Sequence, residues 1–309
     1  MTLLLPPLRR GVRPLLVRRL DRLAENLMRP DGVPAADFAL PHGEPALAAP
    51  DSVSWRIFKN PVALVVGGVA AVILELAEPA VRTGVWEHSS FRADPVARLQ
   101  RTGLAAMITV YGAKSVAEAM IAHVVRLHDQ VGGVTPAGEP YRASDVRLLD
   151  WVQATASFGF AAAYHRYVHP LDHAEFDRLY REGVSTARLY GAVGAPTSTA
   201  ELDGLFDSMK GRLEASPIIF EFLAIMRKAP VFPALLRPLQ RLLVGAAVDI
   251  TPPWVRARLG LGEDYGLRPW QAALVGRAGA LADRIMLPAA PPAQSCLRLD
   301  LPADYLYRR

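Results

Sequence analysis

The fourteen residues from Pro61 to Leu74 form the longest stretch of this chain without a polar side chain. A helix needs roughly 18 to 20 apolar residues to cross a bilayer, so the run is too short to span one. It also contains Gly67 and Gly68 and ends on Glu75. A helix that is apolar on every side must be covered on every side. The run is therefore expected to be a buried core helix, with the rest of the chain wrapped around it. Nothing near the N-terminus reads as an export signal, because Arg9-Arg10 is followed by Gly-Val-Arg-Pro and further arginines rather than an apolar stretch. A cytoplasmic location is the expectation.

The surrounding pattern is helical. Asp51 or Ser52 can cap a short helix at Ser54 to Lys59, and Val62 to Ala77 forms the core helix. Asp94 with Pro95 at the first helical position opens Pro95 to Tyr111. Lys114 to Val131 follows, with Val116, Met120, Val124, Leu127 and Val131 in a stripe, and Gly132-Gly133 ends it. Val131 to Tyr141 reads as a turn-rich loop, and Ser144 to Tyr167 as another helix. Asp172 and Glu175 have capping-box spacing and open the next. Further helices are expected at Thr199 to Ala215, Ile218 to Met226, Pro233 to Ala247, Pro252 to Leu259 and Arg268 to Leu287. No alternating stretch is long enough to predict a strand. The expected organisation is a basic arm and Pro-rich connector over 1–52, one all-α domain over 53–287, and an irregular tail over 288–309.

Composition removes several classes. With 51% hydrophobic and 21% charged residues over 309 positions, the chain can bury a large core and is not intrinsically disordered. One cysteine, Cys296, excludes a disulfide scaffold, a Cys-rich zinc module and an iron–sulfur cluster. The net charge of +5 is local: residues 1–30 carry seven arginines against Asp21 and Glu25, and the rest balances 28 basic against 28 acidic residues. The charge therefore marks an arm rather than a nucleic-acid-binding domain. That arm is expected either to pack Leu15, Leu16 and Leu20 on the body or to touch an anionic membrane surface.

No phosphate-binding loop, dinucleotide fingerprint, H-E-x-x-H or G-x-S-x-G occurs. Covalent haem attachment lacks its C-x-x-C-H, and Cys296 lacks the surroundings of a thiolate ligand. What remains is a polar cluster between Glu75 and Tyr141. Glu75 and Glu78 lie three apart, and His88 follows. Arg98 and Thr102, four apart, project from one helix face, with Arg101 beside them. His123 and His128 are five apart, about 140° around a helix, so they do not share a site closely. Both border the apolar stripe, and spacing does not choose between them. His165 and His169 have a metal-compatible i, i+4 spacing. His169 stands before Pro170 at a helix end without a carboxylate, and both read as surface residues.

Several segments in order carry a resemblance. They begin with Glu78-Pro79-Ala80-Val81, Gly84-Val85 with His88-Ser89-x-Phe91, and Asp94-Pro95-x-x-Arg98-Leu99-x-Arg101-Thr102. Arg126-Leu127-His128-x-x-Val131-x-Gly133, Gly138-x-x-Tyr141-x-Ala143 and Trp151-Val152 continue it. Together they resemble the catalytic domain of the rubber oxygenases (latex clearing proteins), shared with the fungal oxygenase of mycophenolic acid biosynthesis. The resemblance is to the broader bacterial branch rather than to the rubber-cleaving members.

The resemblance implies an all-helical fold around one haem b. It maps His128 onto the proximal iron ligand, and Arg98 and Thr102 onto the distal pair. Glu78 is the match to a distal glutamate base, although many members read Ala-His-Pro where this chain has Ala77-Glu78-Pro79. Arg101 and His123 are further candidates to hold the cofactor, and His88 a further catalytic candidate. The expected activity is haem-dependent oxygenation of an apolar small molecule, using dioxygen or peroxide. Two other readings stand beside it: a haem- or lipid-binding carrier, and a metal-free hydrolase or isomerase using Glu78 and His88. Oligomeric state is left open.

Overall fold

A computed structural model describes Asp21, Glu25, Gly32, Val33 and residues 35–308. The expected packing of Leu15, Leu16 and Leu20 lies outside the described residues. Over the rest the fold is all-α, apart from one two-stranded hairpin.

Helix α1 spans Val53–Phe58, α2 Pro61–Ala77, α3 Pro79–His88, α4 Pro95–Tyr111 and α5 Lys114–Asp129. Strands β1, Gly132–Val134, and β2, Pro140–Arg142, pair antiparallel with Gly133 opposite Tyr141. Helix α6 spans Val146–Tyr167, α7 His173–Leu189, α8 Thr199–Met209 and α9 Pro217–Lys228. The chain ends with α10 Arg237–Ile250, α11 Pro253–Leu259, α12 Pro269–Ala282 and α13 Pro291–Arg298.

Local chemistry sets these boundaries. Pro61, Pro79, Pro95, Pro217, Pro269 and Pro291 each stand at a helix start, where a missing N–H costs no hydrogen bond. Asn60 caps α2 by accepting from Val62 N and Ala63 N at 3.0 and 3.1 Å, and its amide donates to Gly279 O of α12 at 3.0 Å. The Asp172–Glu175 capping box forms as expected, with reciprocal bonds of 2.8 and 3.0 Å.

Helix α2 lies at the centre, packed along α6. They cross at glycines: a Cβ on Gly159 would sit 2.4 Å from Gly67 O, and one on Gly67 would sit 2.7 Å from Phe160 Cα. Only two side chains reduced to hydrogen allow the backbones that close. Trp55, Trp151, Tyr111, Tyr164 and Phe222 fill the space around the pair, all fully buried. Their polar ends are satisfied: Trp151 Nε1 donates to Leu74 O at 3.3 Å, and Trp55 Nε1 to Val110 O at 3.0 Å. Helices α2 and α3 meet at a 111° bend, and no single helix among the described residues is long and apolar enough to cross a membrane.

Two expectations are corrected. The C-terminal segment, expected to be irregular, contains α13, and Ser295, Cys296 and Arg298 are fully buried in it. The Arg298 guanidinium donates to the carbonyls of Glu44, Phe38 and Tyr111, each at 2.8 Å, stitching the Pro-rich connector to the end of α4. Connector and tail are thus parts of the body. The turn-rich loop after α5 contains the β1–β2 hairpin, whose Tyr141 ring packs against Gly84 and Gly133. Three residues per strand are too few for alternation to show.

Candidate active site

Most of α2 is buried, but Val65 is half-buried, as are Leu64, Gly68, Val72 and Glu75. At steps of four, four and three residues the last four form one stripe down a largely enclosed helix. On α4 the equivalent stripe is Arg98, Thr102, Ala105 and Thr109, turned away from the core-facing Leu104, Met107 and Tyr111. On α5 it is Ala117, Ile121, Val124 and His128, the first two fully buried and the last two half-buried.

This corrects the expected α5 stripe. Val116 and Leu127 are 38% and 48% exposed, so the inward face is rotated from the one that hydrophobicity alone picks out. It also separates the two histidines. His128 lies on the inward stripe, while His123 is exposed on another side of α5.

Electrostatics join Glu75, Arg98 and His128. Burial, the largest influence, pushes the Glu75 carboxyl up to about 7, against the pull of the Arg98 charge and of Thr155. The Thr155 hydroxyl also donates to Val152 O at 2.9 Å. One hydroxyl hydrogen serves one acceptor well, so ionised Glu75 is only partly satisfied, whereas protonated Glu75 can itself donate to Thr155. Burial lowers Arg98, with Glu75 opposing, and the Arg98 guanidinium donates to Thr102 Oγ1. Thr102 in turn donates to Arg98 O at 2.9 Å.

His128 is pushed below the ordinary imidazole value, first by burial and then by Arg98, with Asp129 opposing. It is therefore held neutral. Its Nδ1 is buried without a hydrogen-bond partner. An unsatisfied buried nitrogen on an inward, neutral ring is uncommon and calls for a partner.

The other candidates lie elsewhere. Glu78 is fully buried at the α2–α3 bend, where its carboxylate caps α3 through Val81 N at 2.8 Å. It also pairs with Arg147 at 3.2 Å and Arg212 at 3.4 Å. Its oxygens are occupied in holding the bend, and the acid that reaches Arg98 is Glu75. His88 is exposed at the end of α3. Arg101 is exposed and donates to Ser90 Oγ at 2.7 Å, leaving it beside Arg98 but on the outer side. His165 is exposed, and its Nδ1 accepts from Leu171 N at 3.0 Å; His169 is also exposed.

Sequence reasoning named both glutamates and gave the base role to Glu78, whereas in the fold Glu75 is the one that interacts with Arg98. The available signal was the proline: an acid directly before Pro79 is placed as N-cap and first helical residue. Glu75, three residues earlier, is still within α2 and on its open stripe.

The raised Glu75 value has a stability consequence. Below about pH 4.5 the group is protonated folded or unfolded and costs nothing. Between there and about 7 the folded state holds the proton that the unfolded chain has released, so stability falls as pH rises through this window. Glu75→Gln is therefore expected to match the wild type near pH 4 and to exceed it at pH 8 by on the order of 2 kcal/mol. The figure is below the full shift because the residue is partly accessible and Arg98 loses a counter-charge. Urea unfolding of both proteins at the two pH values checks this; an equal gap at both would show that folding does not shift the titration of Glu75.

The family described as "ER-bound oxygenase mpaB/B'/Rubber oxygenase, catalytic domain" has a sequence model that matches residues 55–283. No curated protein and no solved structure matches.

Proposed function

The chain belongs to the mpaB/rubber oxygenase catalytic-domain family, and from that premise we propose that it is a haem b-dependent oxygenase acting on an apolar small molecule. The observation that carries the cofactor reading is His128: inward-facing, held neutral, with an orphaned buried Nδ1. A neutral imidazole is the form that ligates iron, and the residues present fit a histidine-ligated haem. Bound haem would supply a redox-active iron able to react with dioxygen or peroxide.

The chain's own residues then divide the work. His128 would hold the iron. Arg98 offers charge-assisted donors to an anionic group beside it, and Thr102 fixes the orientation of the guanidinium. Glu75, near 7, can accept or deliver a proton at its carboxylate oxygen at neutral pH. Leu64, Val72 and Val124 give the half-buried stripes apolar surface suited to an apolar substrate. Arg101 and His123, exposed on their helices, are left outside this assignment, and Glu78 serves as the support of the bend. The words "ER-bound" describe members of the family; for this chain we propose membrane contact through the arginine-rich arm.

The test is an absorption spectrum of the purified protein, oxidised and reduced, with a pyridine haemochrome assay. About one b-type haem per chain is expected. Arg98→Ala should keep that haem and lose about 100-fold in oxidant-dependent turnover of an apolar substrate. A colourless protein that also refuses added haem overturns the proposal. Haem without any oxidant-dependent product would make the protein a carrier instead.

A further inference from the structure

Helix α12 is apolar on both faces. Val275 and Gly279 are buried, and a Cβ on Gly279 would lie 2.2 Å from Tyr167 O, so the inner face is tight against α6. Ala272, Ala278 and Ala282 pack on the core at the flanks. Yet Trp270, Leu274 and Leu281 stand 61%, 43% and 63% exposed on the outer face. At steps of four and seven residues these three fall on one narrow stripe, with Arg277 between them and Arg284 just beyond the helix end. Three large apolar side chains aligned on a surface helix are a patch and not scatter.

The charges on the stripe itself have one sign, while the exposed acids Glu263 and Asp264 stand on the turn before the helix. Arg268 precedes the helix, Arg277 divides the stripe and Arg284 follows it, all exposed. Among the described residues neither Arg277 nor Arg284 has an ion-pair partner. Asp283, next to Arg284 in sequence, is turned inward to Lys59 Nζ at 3.1 Å and Asn60 Nδ2 at 3.2 Å. The arm joins the body at the same end: Ala289 N donates to Asp21 at 3.0 Å, and Asp21 lies within the segment that carries seven arginines in thirty residues.

We propose that the outer face of α12 docks on an anionic phospholipid surface, with Trp270, Leu274 and Leu281 entering the headgroup–acyl boundary and Arg277 and Arg284 meeting lipid phosphates. Tryptophan favours that boundary, and arginine stems bury their carbons while the guanidinium stays with the phosphates. A second copy fits less well. Two such faces would bring Arg277 and Arg284 toward their own counterparts with no acid on the face to neutralise them. Lipid supplies the missing negative charge. This inference goes beyond the oxygenase reading and does not depend on it.

The experiment uses the full chain with vesicles of phosphatidylcholine, alone or with about one-third phosphatidylglycerol, which sets an anionic surface potential. The wild type should co-sediment with the anionic vesicles and much less with the neutral ones. Trp270→Ser/Leu281→Ser should lower partitioning about tenfold or more. Arg277→Glu/Arg284→Glu should reduce the preference for anionic lipid to what the arginine-rich arm alone supplies. Brominated lipids should quench tryptophan fluorescence in the wild type, and Trp270→Phe should lose that quenching. Unchanged melting curves certify that these surface variants are folded. Undiminished binding by Trp270→Ser/Leu281→Ser with its arm intact overturns the proposal in favour of the arm. A concentration-dependent dimer that this variant abolishes, without vesicle binding by the wild type, overturns it in favour of a second copy.

Discussion

His128→Ala is expected to purify with less than about a tenth of the wild-type haem, without a normal Soret band, and with its helical content intact. The ring lies on the inward stripe of α5 with Ala117, Ile121 and Val124, and it makes no hydrogen bond that the fold needs. Its removal therefore costs the apoprotein little, while a haem would lose its only bond to the chain. Added imidazole should restore part of the Soret band in His128→Gly, a response that a merely structural histidine would not give. His123→Ala, on the exposed side of the same helix, should leave the spectrum unchanged. If His128→Ala binds haem with the wild-type spectrum, the ligand is another residue.

Gly159→Ala is expected to lower the melting temperature by about 10 °C, a large effect for one methyl group. That methyl would lie 2.4 Å from Gly67 O, a backbone atom of the central helix that cannot turn aside. The α2–α6 crossing must open instead, and the strain passes to neighbours on the same interface, among them the Trp151–Leu74 bond and the Glu75–Thr155 contact. Overpacking of this kind costs about 3 kcal/mol. The control is Gly68→Ala, one residue beyond Gly67. There the nearest atom to the new methyl is Phe160 Cε1 at 3.9 Å. With room available and alanine the better helix former, Gly68→Ala should be neutral or stabilising by about 0.5–1 kcal/mol. Equal effects of the two substitutions in calorimetry would mean that the helices do not cross at these glycines.

The two glycines show where sequence reading reached and where it stopped. Gly67-Gly68 in an apolar run announces a helix that something approaches closely, but not which glycine is approached or by what. The partner, Gly159, lies 92 positions later and has no local signature. The C-terminal helix stayed hidden for a similar reason. Arg298 and Ser295 carry no local signal of burial; their partners are the carbonyls of Glu44, Phe38 and Tyr111, which come from two distant segments.

The site divides in the same way. Arg98 and Thr102 were readable as a pair because four residues is one helical turn, and their contact is local. His128 entered as a match to a family motif, and five-residue spacing could not rank it against His123. Only the packing of α5 through Ala117 and Ile121 turns one ring inward and the other out. Glu75 and Glu78 carry the same carboxyl group, yet one ends the half-buried stripe of α2 beside Arg98 and the other caps a 111° bend between two arginines.

The sequence by itself determined the all-α class, the buried central helix, most helix starts and the family, because each is written in contacts of four residues or fewer or in the order of short motifs. The tertiary structure alone decided which stripe of each helix faces inward, and with it which histidine is turned inward and which glutamate lies beside Arg98. The rotation of a helix about its own axis is set by what packs against it, and those partners come from far along the chain.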